Sequence, residues 1–209
     1  MKVTIIYDNT AFRAGLRADW GFAALVETGK HRILFDTGAD GRILLSNMKK
    51  LGIDPLCIEE VFISHLHFDH VGGLGEFLKV NRGVKRVYLP SSLGLENEVV
   101  LKEPKLIHEA IFSTGELGGI EQSMGIITKK GVVLIVGCSH PPMEAILATA
   151  RKFGKVYAII GGLHGFSKFE LFKDLSLICP THCTQFKSEL RALYPEKYVE
   201  GGVGRVIEI

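Results

Sequence analysis

The stretch HLHFDH, residues 65–70, places three histidines and an aspartate within six positions of the chain. The run EVFIS before it, residues 60–64, is short and apolar, which predicts a buried strand that ends where the polar cluster begins. Imidazole and carboxylate groups need polar partners once they leave water, so a packed core is a poor place for four of them. A bound metal would satisfy all four. The alternative is a chance cluster of solvated histidines on a loop.

The spacing within this stretch is compatible with two neighbouring ions. His65 and His67 lie two residues apart, so extended backbone at a strand end would point both side chains toward one ion. Asp69 and His70 follow where the chain turns, and they can address a second ion beside the first. Imidazole nitrogen and carboxylate oxygen suit zinc, manganese or iron better than calcium or magnesium, which prefer shells made of oxygen alone.

Three further histidines follow other apolar runs that predict buried strands. The runs at residues 132–136, 157–160 and 177–181 end shortly before His140, His164 and His182, respectively. For one strand-end histidine a structural role is the simpler interpretation. Four separate strands that each deliver histidine are hard to ascribe to packing, so we expect one edge of a sheet to gather a functional site.

The stretch at residues 65–70 resembles the HxHxDH signature of the metallo-β-lactamase superfamily, and its neighbours extend the likeness. ILFDTG at residues 33–38 resembles the strand and Asp-x-Gly turn that precede the signature in that superfamily, and Gly-Gly-Leu at residues 72–74 follows it as in other members. The resemblance covers nearly the whole chain. It implies an α/β (α+β) protein with a four-layer αββα sandwich and metals at the sheet edge.

The resemblance also implies which residues hold two divalent ions, zinc first, with manganese or iron as alternatives. One ion would take His65, His67 and His140, and the other would take Asp69, His70 and His182. In the family, an aspartate at the position of Asp36 lies behind the ligands and orients them, although an Asx-turn or a helix cap would also explain it. A metal-bound hydroxide would then be available at neutral pH for hydrolysis.

This chain departs from the common family pattern at one place. Many members carry a metal-bridging aspartate in a Gly-Asp pair after the hairpin strand, whereas residues 137–140 read Gly-Cys-Ser-His. His164 could fill the gap as a ligand, or it could protonate the leaving group as an extra histidine does in ribonuclease Z-like relatives. A packed structural histidine is the third possibility. Asp69 and His164 are therefore the catalytic candidates.

Three short segments resemble one branch of the superfamily more narrowly. GCSH at residues 137–140, GGLH at 161–164 and PTHCT at 180–184 are similar to 7,8-dihydropterin-6-methyl-4-(β-D-ribofuranosyl)aminobenzene-5′-phosphate synthase-like proteins. The favoured function is a metal-dependent hydrolase of a small ester or phosphoester. The alternatives are a transferase that condenses a dihydropterin pyrophosphate with a ribofuranosylaminobenzene phosphate, and a metal-holding protein that binds a ligand without turnover.

Composition indicates an ordinary globular protein, with 46% hydrophobic and 23% charged residues in a chain of 209. We expect a single domain over residues 1–209. The net charge of +2 is too small to imply a nucleic-acid or membrane surface. The expected partner is a small, anionic molecule, which Arg13 and Arg17 in the loop after the first strand could meet, although simple solvation explains either arginine as well.

The cellular location expected from the sequence is the cytoplasm. Asp8 comes too early for the apolar region of a signal peptide, and no later run approaches the length of a membrane span. Four cysteines in a chain of this size do not resemble a secreted disulfide framework. Cys179 and Cys183 bracket His182, so a metal or redox role is conceivable, but reduced, half-buried thiols beside a site are the favoured interpretation.

Away from the site, the pattern predicts a helix over residues 41–51, a helix from 142 to 153 and a last strand over 203–209. The run VVLIV at residues 132–136 lacks polar alternation and should be buried on both faces. The segment 90–117 is the least patterned, and family resemblance places substrate-shaping differences there. His108 lies in it without polar company and is predicted to be a surface or partly packed residue.

Overall fold

The computed structural model describes all residues from Met1 to Ile209. Thirteen strands are, in chain order, β1 (Lys2–Tyr7), β2 (Ala23–Glu27), β3 (Arg32–Phe35), β4 (Glu60–Phe62), β5 (Arg86–Leu89), β6 (Glu98–Val100), β7 (Lys105–His108), β8 (Ile111–Ser113), β9 (Met124–Thr128), β10 (Gly131–Val136), β11 (Val156–Gly162), β12 (Leu177–Thr181) and β13 (Val206–Glu208). The helices are α1 (Gly41–Leu51), α2 (Phe68–Val71), α3 (Leu74–Val80), α4 (Met143–Arg151) and α5 (Lys187–Leu193), with 3₁₀ turns at Pro55–Cys57 and Phe169–Phe172.

The strands form two sheets. The first has the order β13-β1-β2-β3-β4-β5-β6, and the second has the order β12-β11-β10-β9-β8-β7. In the first sheet β3, β4, β5 and β6 run parallel, and in the second β10, β11 and β12 do. The remaining neighbours are antiparallel. The carboxyl ends of parallel strands meet at the same edge, which is where loops commonly assemble a site.

Three apolar clusters show that the layers are helix, sheet, sheet and helix. One cluster joins the facing sides of the two sheets, for example Phe62 of β4 with Val133 of β10. A second packs the outer side of the first sheet against α1 and α3, and a third packs the outer side of the second sheet against α4 and α5. The predicted αββα sandwich is confirmed.

The position of β10 within the sandwich explains why its sequence lacks alternation between apolar and polar residues. Val133 and Ile135 point into the cluster between the sheets, while Val132, Leu134 and Val136 pack against the helices outside. Both faces of this strand are buried, as predicted, because each face of the second sheet is covered by another layer.

Helix α1 has the predicted bounds because its two ends carry clear signals. The Asp40 side chain accepts a hydrogen bond from the Arg42 backbone N–H at the first turn, and Gly52 adopts a left-handed conformation with φ of +71° after the last turn. None of the helices combines the length and apolar character needed to cross a bilayer.

Two predictions about secondary structure require correction, and residues 90–117, for which no element was predicted, contain the strands β6, β7 and β8. The last strand covers only Val206–Glu208. The helix expected over 142–153 ends at Arg151. Strands β6 and β7 are short and largely exposed, so their side chains carry no burial alternation that a sequence could reveal.

His108 is partly packed, as predicted, but it has polar company that the sequence did not indicate. Its Nε2 lies 2.6 Å from Glu60 Oε2, and its ring stacks on that of His31 with centroids 3.8 Å apart. Glu60 is buried at the beginning of β4 and also accepts from Tyr88 and Arg86. This cluster lies at the opposite end of the strand from HLHFDH.

Candidate metal centre

All six predicted metal ligands lie at one edge of the sandwich, in two adjacent groups of three. In each group the candidate donor atoms are within 4.8 Å of one another: His65, His67 and His140 form the first group, and Asp69, His70 and His182 form the second. Strand β4 leads to the HLHFDH stretch, β10 to His140 and β12 to His182. The two parallel strand sets therefore bring their carboxyl ends to a common place.

The first group contains two buried nitrogen atoms that lack any hydrogen-bond partner, Nε2 of His65 and Nε2 of His140. Their rings lie edge to face with that of His67, with centroids 4.6 and 4.8 Å away. Burial, followed by the charges of neighbouring imidazoles, lowers the pKa of both His65 and His140. They are therefore neutral at pH 7, the form in which imidazole binds a metal.

The second group brings three acceptors together without a donor among them. His70 Nδ1–H donates to Asp36 at 2.7 Å and His182 Nδ1–H donates to Asn9 at 2.9 Å, so this network assigns a lone pair to each Nε2 atom. These two Nε2 atoms lie 3.3 Å apart, and Asp69 Oδ2 is 3.1 Å from that of His182. Convergent lone pairs of this kind fit a divalent cation with nitrogen and oxygen ligands.

Asp36 orients ligands in both groups. Its carboxylate accepts from the Ser64 backbone N–H and hydroxyl, each at 2.7 Å, as well as from His70. The Ser64 oxygen in turn accepts from His65 Nδ1–H at 2.9 Å. One fully buried carboxylate thus sets the ring orientation of His70 directly and of His65 through a serine, as partners of metal-binding histidines commonly do.

His182 is held by two residues that sequence reasoning did not single out. Asp8 Oδ1 accepts from the His182 backbone N–H at 2.8 Å, and the Asn9 amide donates to the His182 carbonyl at 3.2 Å while its oxygen accepts from the ring. Both residues follow β1, far from His182 in the chain. Their position directly after an apolar strand was the only available signal.

Glu121 holds the turn that carries His140. It is buried, and its carboxylate accepts from four successive backbone N–H groups, those of residues 137, 138, 139 and 140, at 2.9 to 3.1 Å. Burial raises the pKa of Glu121 to about 7, against the opposing effect of these hydrogen bonds. Sequence reasoning missed this residue because nothing local distinguishes it from a surface glutamate.

Comparison with known proteins agrees with this geometry. Residues 19–111 match the sequence profile described as metallo-beta-lactamase superfamily. A solved structure described as a metal-dependent hydrolase of the beta-lactamase superfamily has a TM-score of 0.78 and 24% identity, and the match covers 100% of this chain and 99% of that one. Residues 19–111 thus carry the match to the metallo-β-lactamase superfamily, and the chain has the fold of these proteins.

Two curated proteins of Methanocaldococcus jannaschii are similar to this chain over most of their length. The first is 7,8-dihydropterin-6-methyl-4-(β-D-ribofuranosyl)-aminobenzene-5′-phosphate synthase, 28% identical, covering 89% of this chain and 88% of that protein. The second is an uncharacterised protein, 27% identical, covering 99% of this chain and 100% of that protein. The first alignment spans 258 positions, more than the 209 residues of this chain, so the relative carries inserted segments.

At the departure from the common superfamily pattern, the structure places a sulfur atom beside the donors. Cys138 Sγ lies 3.1 Å from His70 Nε2 and 3.2 Å from Cys183 Sγ. Cys183 is half-buried beside the site, as predicted, whereas Cys179 is fully buried between the sheets. The two cysteines that bracket His182 therefore have different surroundings.

His164 lies next to the centre but outside the donor groups. It is exposed, and its ring centroid is 5.2 Å from that of His140. Both residues line an open groove of about 420 Å³ that also contains Lys168. A larger cavity of about 620 Å³ lies at the opposite edge of the sandwich, around the turns at 28–31, 109–111 and 128–130, and contains none of the donors.

Arg13 and Arg17, for which an anionic substrate or simple solvation was considered, lie in the loop after β1. Arg13 lines a separate cavity beside β1 and β2. The backbone of Arg17 is bonded to the Asn47 side chain of α1. From the same loop, the exposed ring of Trp20 reaches the centre, where it packs edge-on against His182 with centroids 5.1 Å apart.

Backbone strain concentrates at this edge. Four residues other than glycine have positive φ angles, and all four follow strands that end there: Asp36, Ser139, His164 and His182. Each such residue costs of the order of 1–3 kcal/mol, a cost that folded proteins tolerate mainly at functional sites. The strained positions thus coincide with the turns that deliver the donors and the groups that orient them.

Proposed function

We propose that this protein is a metal-dependent hydrolase of the metallo-β-lactamase superfamily that acts on a small ester or phosphoester. The observation that supports this most strongly is the convergence of imidazole nitrogens in two adjacent groups, where Nε2 of His65 and of His140 has no hydrogen-bond partner and the rings of His70 and His182 are fixed from behind by Asp36 and Asn9. Binuclear centres of this kind suit hydrolytic displacement.

The proposal assigns two divalent ions, zinc first, to the two groups. His65, His67 and His140 would hold one, and Asp69, His70 and His182 would hold the other. When bound, such ions supply a water with a pKa lowered to about 7 and a positive charge that polarises a carbonyl or phosphoryl oxygen. The superfamily relationship supports divalent metal binding in general.

Within this proposal the protein side chains position groups and move protons. Asp69 is only partly buried, so its carboxylate faces both the donor group and the open edge. His164 stands in the groove beside His140, free of any metal-donor group, and is assigned as the acid that protonates the leaving group. The cation of Lys168 in the same groove is consistent with an anionic substrate.

Two features support a cytoplasmic, single-domain protein as part of the same proposal. Free thiols of Cys138 and Cys183 lie 3.2 Å apart, and a reducing compartment preserves such a pair. The three apolar clusters share the same two sheets, so no part of the chain has a core of its own.

A second candidate is the pterin transferase reaction, favoured by the 28% identity to the methanogen synthase over 89% of this chain. In that reaction the centre would stabilise a leaving pyrophosphate. Incubation with a dihydropterin pyrophosphate and a ribofuranosylaminobenzene phosphate distinguishes the candidates, because only the transferase would release pyrophosphate and form a coupled product.

The test of the hydrolase begins with elemental analysis of protein purified without chelator, followed by a panel of activated esters and phosphodiesters. We expect about two ions per chain and turnover that a chelator abolishes. Asp69→Ala should lose turnover while its circular dichroism stays native, and Asp54→Ala, at an exposed turn, should keep it. Full metal loading without turnover of any substrate would contradict the hydrolase and favour a binding protein.

A further inference from the structure

A cavity opens between the two sheets at the edge opposite the candidate metal centre. Its volume is about 620 Å³, which lies within the range of roughly 300–1,000 Å³ that small-molecule sites occupy. Three turns surround it: residues 28–31 join β2 to β3, residues 109–110 join β7 to β8, and residues 129–130 join β9 to β10. The cavity shares no residue with the groove that contains His164, so the proposed reaction makes no use of it.

The floor of this cavity is apolar and continuous with the core between the sheets. Ile111 and Ile126 line it, pair directly across β8 and β9, and belong to the cluster that joins the two sheets. Met1 and Ile209 are partly buried against the same cluster, and the Met1 amino group donates to a carboxyl oxygen of Ile209 at 2.8 Å. An apolar group placed on this floor would be removed from water, which is favourable.

The turns that form the rim are fixed by their own hydrogen bonds. The Thr28 hydroxyl accepts from the His31 backbone N–H at 3.2 Å, and the Thr28 N–H donates to the His31 carbonyl at 2.9 Å. The Thr128 hydroxyl donates to the Gly131 carbonyl at 2.7 Å and accepts from the Lys130 N–H at 3.1 Å. The rim is therefore formed before a ligand enters, which reduces the entropic cost of binding.

The rim carries more positive than negative charge on its side chains. Lys30, Lys129 and Lys130 line the cavity together with one acidic side chain, that of Glu109. Lys30 Nζ lies 3.5 Å from Glu109 Oε2, but both side chains are largely exposed, so this ion pair is weak. Lys130 Nζ lies 5.6 Å from the centre of the Tyr157 ring, and Lys129 is exposed. The rim therefore attracts an anionic group.

The imidazole of His31 adds a polar contact beside these lysines. The hydrogen bonds that fix His31 in its turn involve only its backbone, which leaves the ring nitrogens free. The ring is held by stacking on His108, with centroids 3.8 Å apart, and His108 is in turn held by Glu60 at 2.6 Å. Burial, followed by the charge of His108, lowers the pKa of His31, so at pH 7 the neutral ring has one N–H to donate.

We propose that this cavity binds an amphipathic monoanion, an aliphatic chain of medium length that ends in a carboxylate. The chain lies on the apolar floor, and the carboxylate faces Lys129 and Lys130 and accepts from His31. An aliphatic chain is the better match than a ring system, because the lining includes isoleucine and methionine but no phenylalanine, tyrosine or tryptophan on which a ring would stack.

Isothermal titration calorimetry with octanoate, on the protein as purified and at low salt, tests this proposal. We expect saturable binding with a Kd of about 1 mM, as the modest affinity per atom of small ligands implies. Octanol lacks the charge, butyrate lacks most of the chain, and octyltrimethylammonium reverses the charge, so each should bind at least about fivefold more weakly. Added salt should weaken the binding of octanoate and leave that of octanol unchanged.

Variants then assign the binding to this cavity. Ala110→Phe places a ring in the cavity from its partly exposed wall and should abolish detectable octanoate binding. Lys129→Glu combined with Lys130→Glu should weaken octanoate about tenfold and leave octanol unchanged. Lys79→Glu, at an exposed lysine of α3 outside the cavity, is the matched control. Asp69→Ala should also keep full binding, because a carboxylate bound at the candidate metal centre would lose affinity in that variant.

Native circular dichroism confirms that each variant folds, and the charge reversal decides the matter if Ala110→Phe does not. Octanoate binding that the charge reversal leaves unchanged, or that Asp69→Ala abolishes, would overturn the assignment to this cavity. Octyltrimethylammonium that binds as tightly as octanoate would overturn the anionic ligand, and no saturable binding of octanoate at all would overturn the site. None of these outcomes bears on the proposed hydrolase, which is tested by metal content and turnover at the opposite edge.

Discussion

At the scale of single residues, the most consequential feature is that the candidate ligands are oriented from behind. The Nδ1–H groups of His65, His70 and His182 donate to Ser64, Asp36 and Asn9, respectively. Each ring is thereby fixed in the tautomer that turns an Nε2 lone pair toward the centre. In the proposed metal centre, these contacts would hold the rings ready for an ion before it binds.

Asp36→Asn should weaken metal binding without removing any ligand. Its amide cannot accept from His70 and Ser64 as the carboxylate does, and loss of such partners typically costs about 10- to 100-fold in metal affinity. Competition with a chromophoric chelator measures the effect. Glu60→Gln is the matched control, a buried carboxylate at the far end of β4, and it should leave affinity unchanged. Equal affinity in Asp36→Asn and the control would contradict the orienting role.

Protonation of His65 should lower the free energy of unfolding as the pH falls. Burial lowers its pKa in the folded protein, whereas the unfolded chain protonates it near pH 6.5. The unfolded state therefore binds the extra proton below pH 6.5, and the stability associated with neutral His65 is lost as pH falls. In metal-stripped protein, the unfolding free energy of the unaltered chain relative to His65→Gln should drop by about 1.4 kcal/mol per pH unit from pH 6 to pH 5.

Denaturant titrations in the presence of chelator, at pH 7.5, 6 and 5, provide this measurement. Taking the difference between the two proteins removes the contributions of other titrating groups that they share. A difference that stays constant over this range would show that His65 protonates normally in the folded protein.

At the scale of elements, the loop between β10 and α4 depends on one carboxylate from outside. Glu121 receives four backbone N–H groups of this loop, which would otherwise be buried without acceptors. Such an arrangement ties the positions of Cys138 and His140 to a residue that binds no metal.

Glu121→Gln should therefore both destabilise the protein and loosen the centre. Its NH₂ group would face backbone donors, and we expect a loss of about 2 kcal/mol in unfolding free energy. Thermal melts with and without added zinc should show a smaller metal-induced increase in Tm than in the unaltered protein. Glu109→Gln, at an exposed glutamate, serves as control. An unchanged melt in both conditions would contradict the role of Glu121.

The elements also show what could be inferred from the sequence. Helix α1 has its predicted bounds because Asp40 and Gly52 are local signals. The two groups of candidate ligands could be predicted for the same reason, because their histidines lie shortly after apolar runs. Glu121, Asp8 and Asn9 were not, because their roles come from contacts between segments that are 16 to 174 residues apart. Cys138 escaped notice because a cysteine beside a buried strand is commonly a small core residue.

At the scale of the whole molecule, the centre joins two sheets whose facing sides pack mainly through apolar side chains. The first sheet supplies the HLHFDH stretch, and the second supplies His140 and His182. Ions bound between them, as proposed, would act as cross-links between the sheets, and metal binding would then contribute to folding stability.

Metal removal should therefore lower the melting temperature of the entire protein in one transition. An ion present at 100 times its Kd contributes about 2.7 kcal/mol, which corresponds to roughly 5–10 °C in Tm for a domain of this size. Calorimetry in chelator, then after readdition of zinc, measures the change. Asp69→Ala should show a smaller shift than Asp54→Ala, since only the former loses a donor. If the chelator removes the metal but leaves the melting temperature unchanged, metal binding and folding stability are not linked.

The left-handed backbone at Asp36, Ser139, His164 and His182 also bears on how the protein can evolve. Glycine would relieve the backbone strain at each of these positions, so one amino-acid substitution at any of them should stabilise the fold. Yet three of the four are proposed to act at the centre through their side chains. Laboratory populations selected only for heat resistance are expected to acquire glycine there and lose turnover, whereas populations selected for turnover should retain the strained residues.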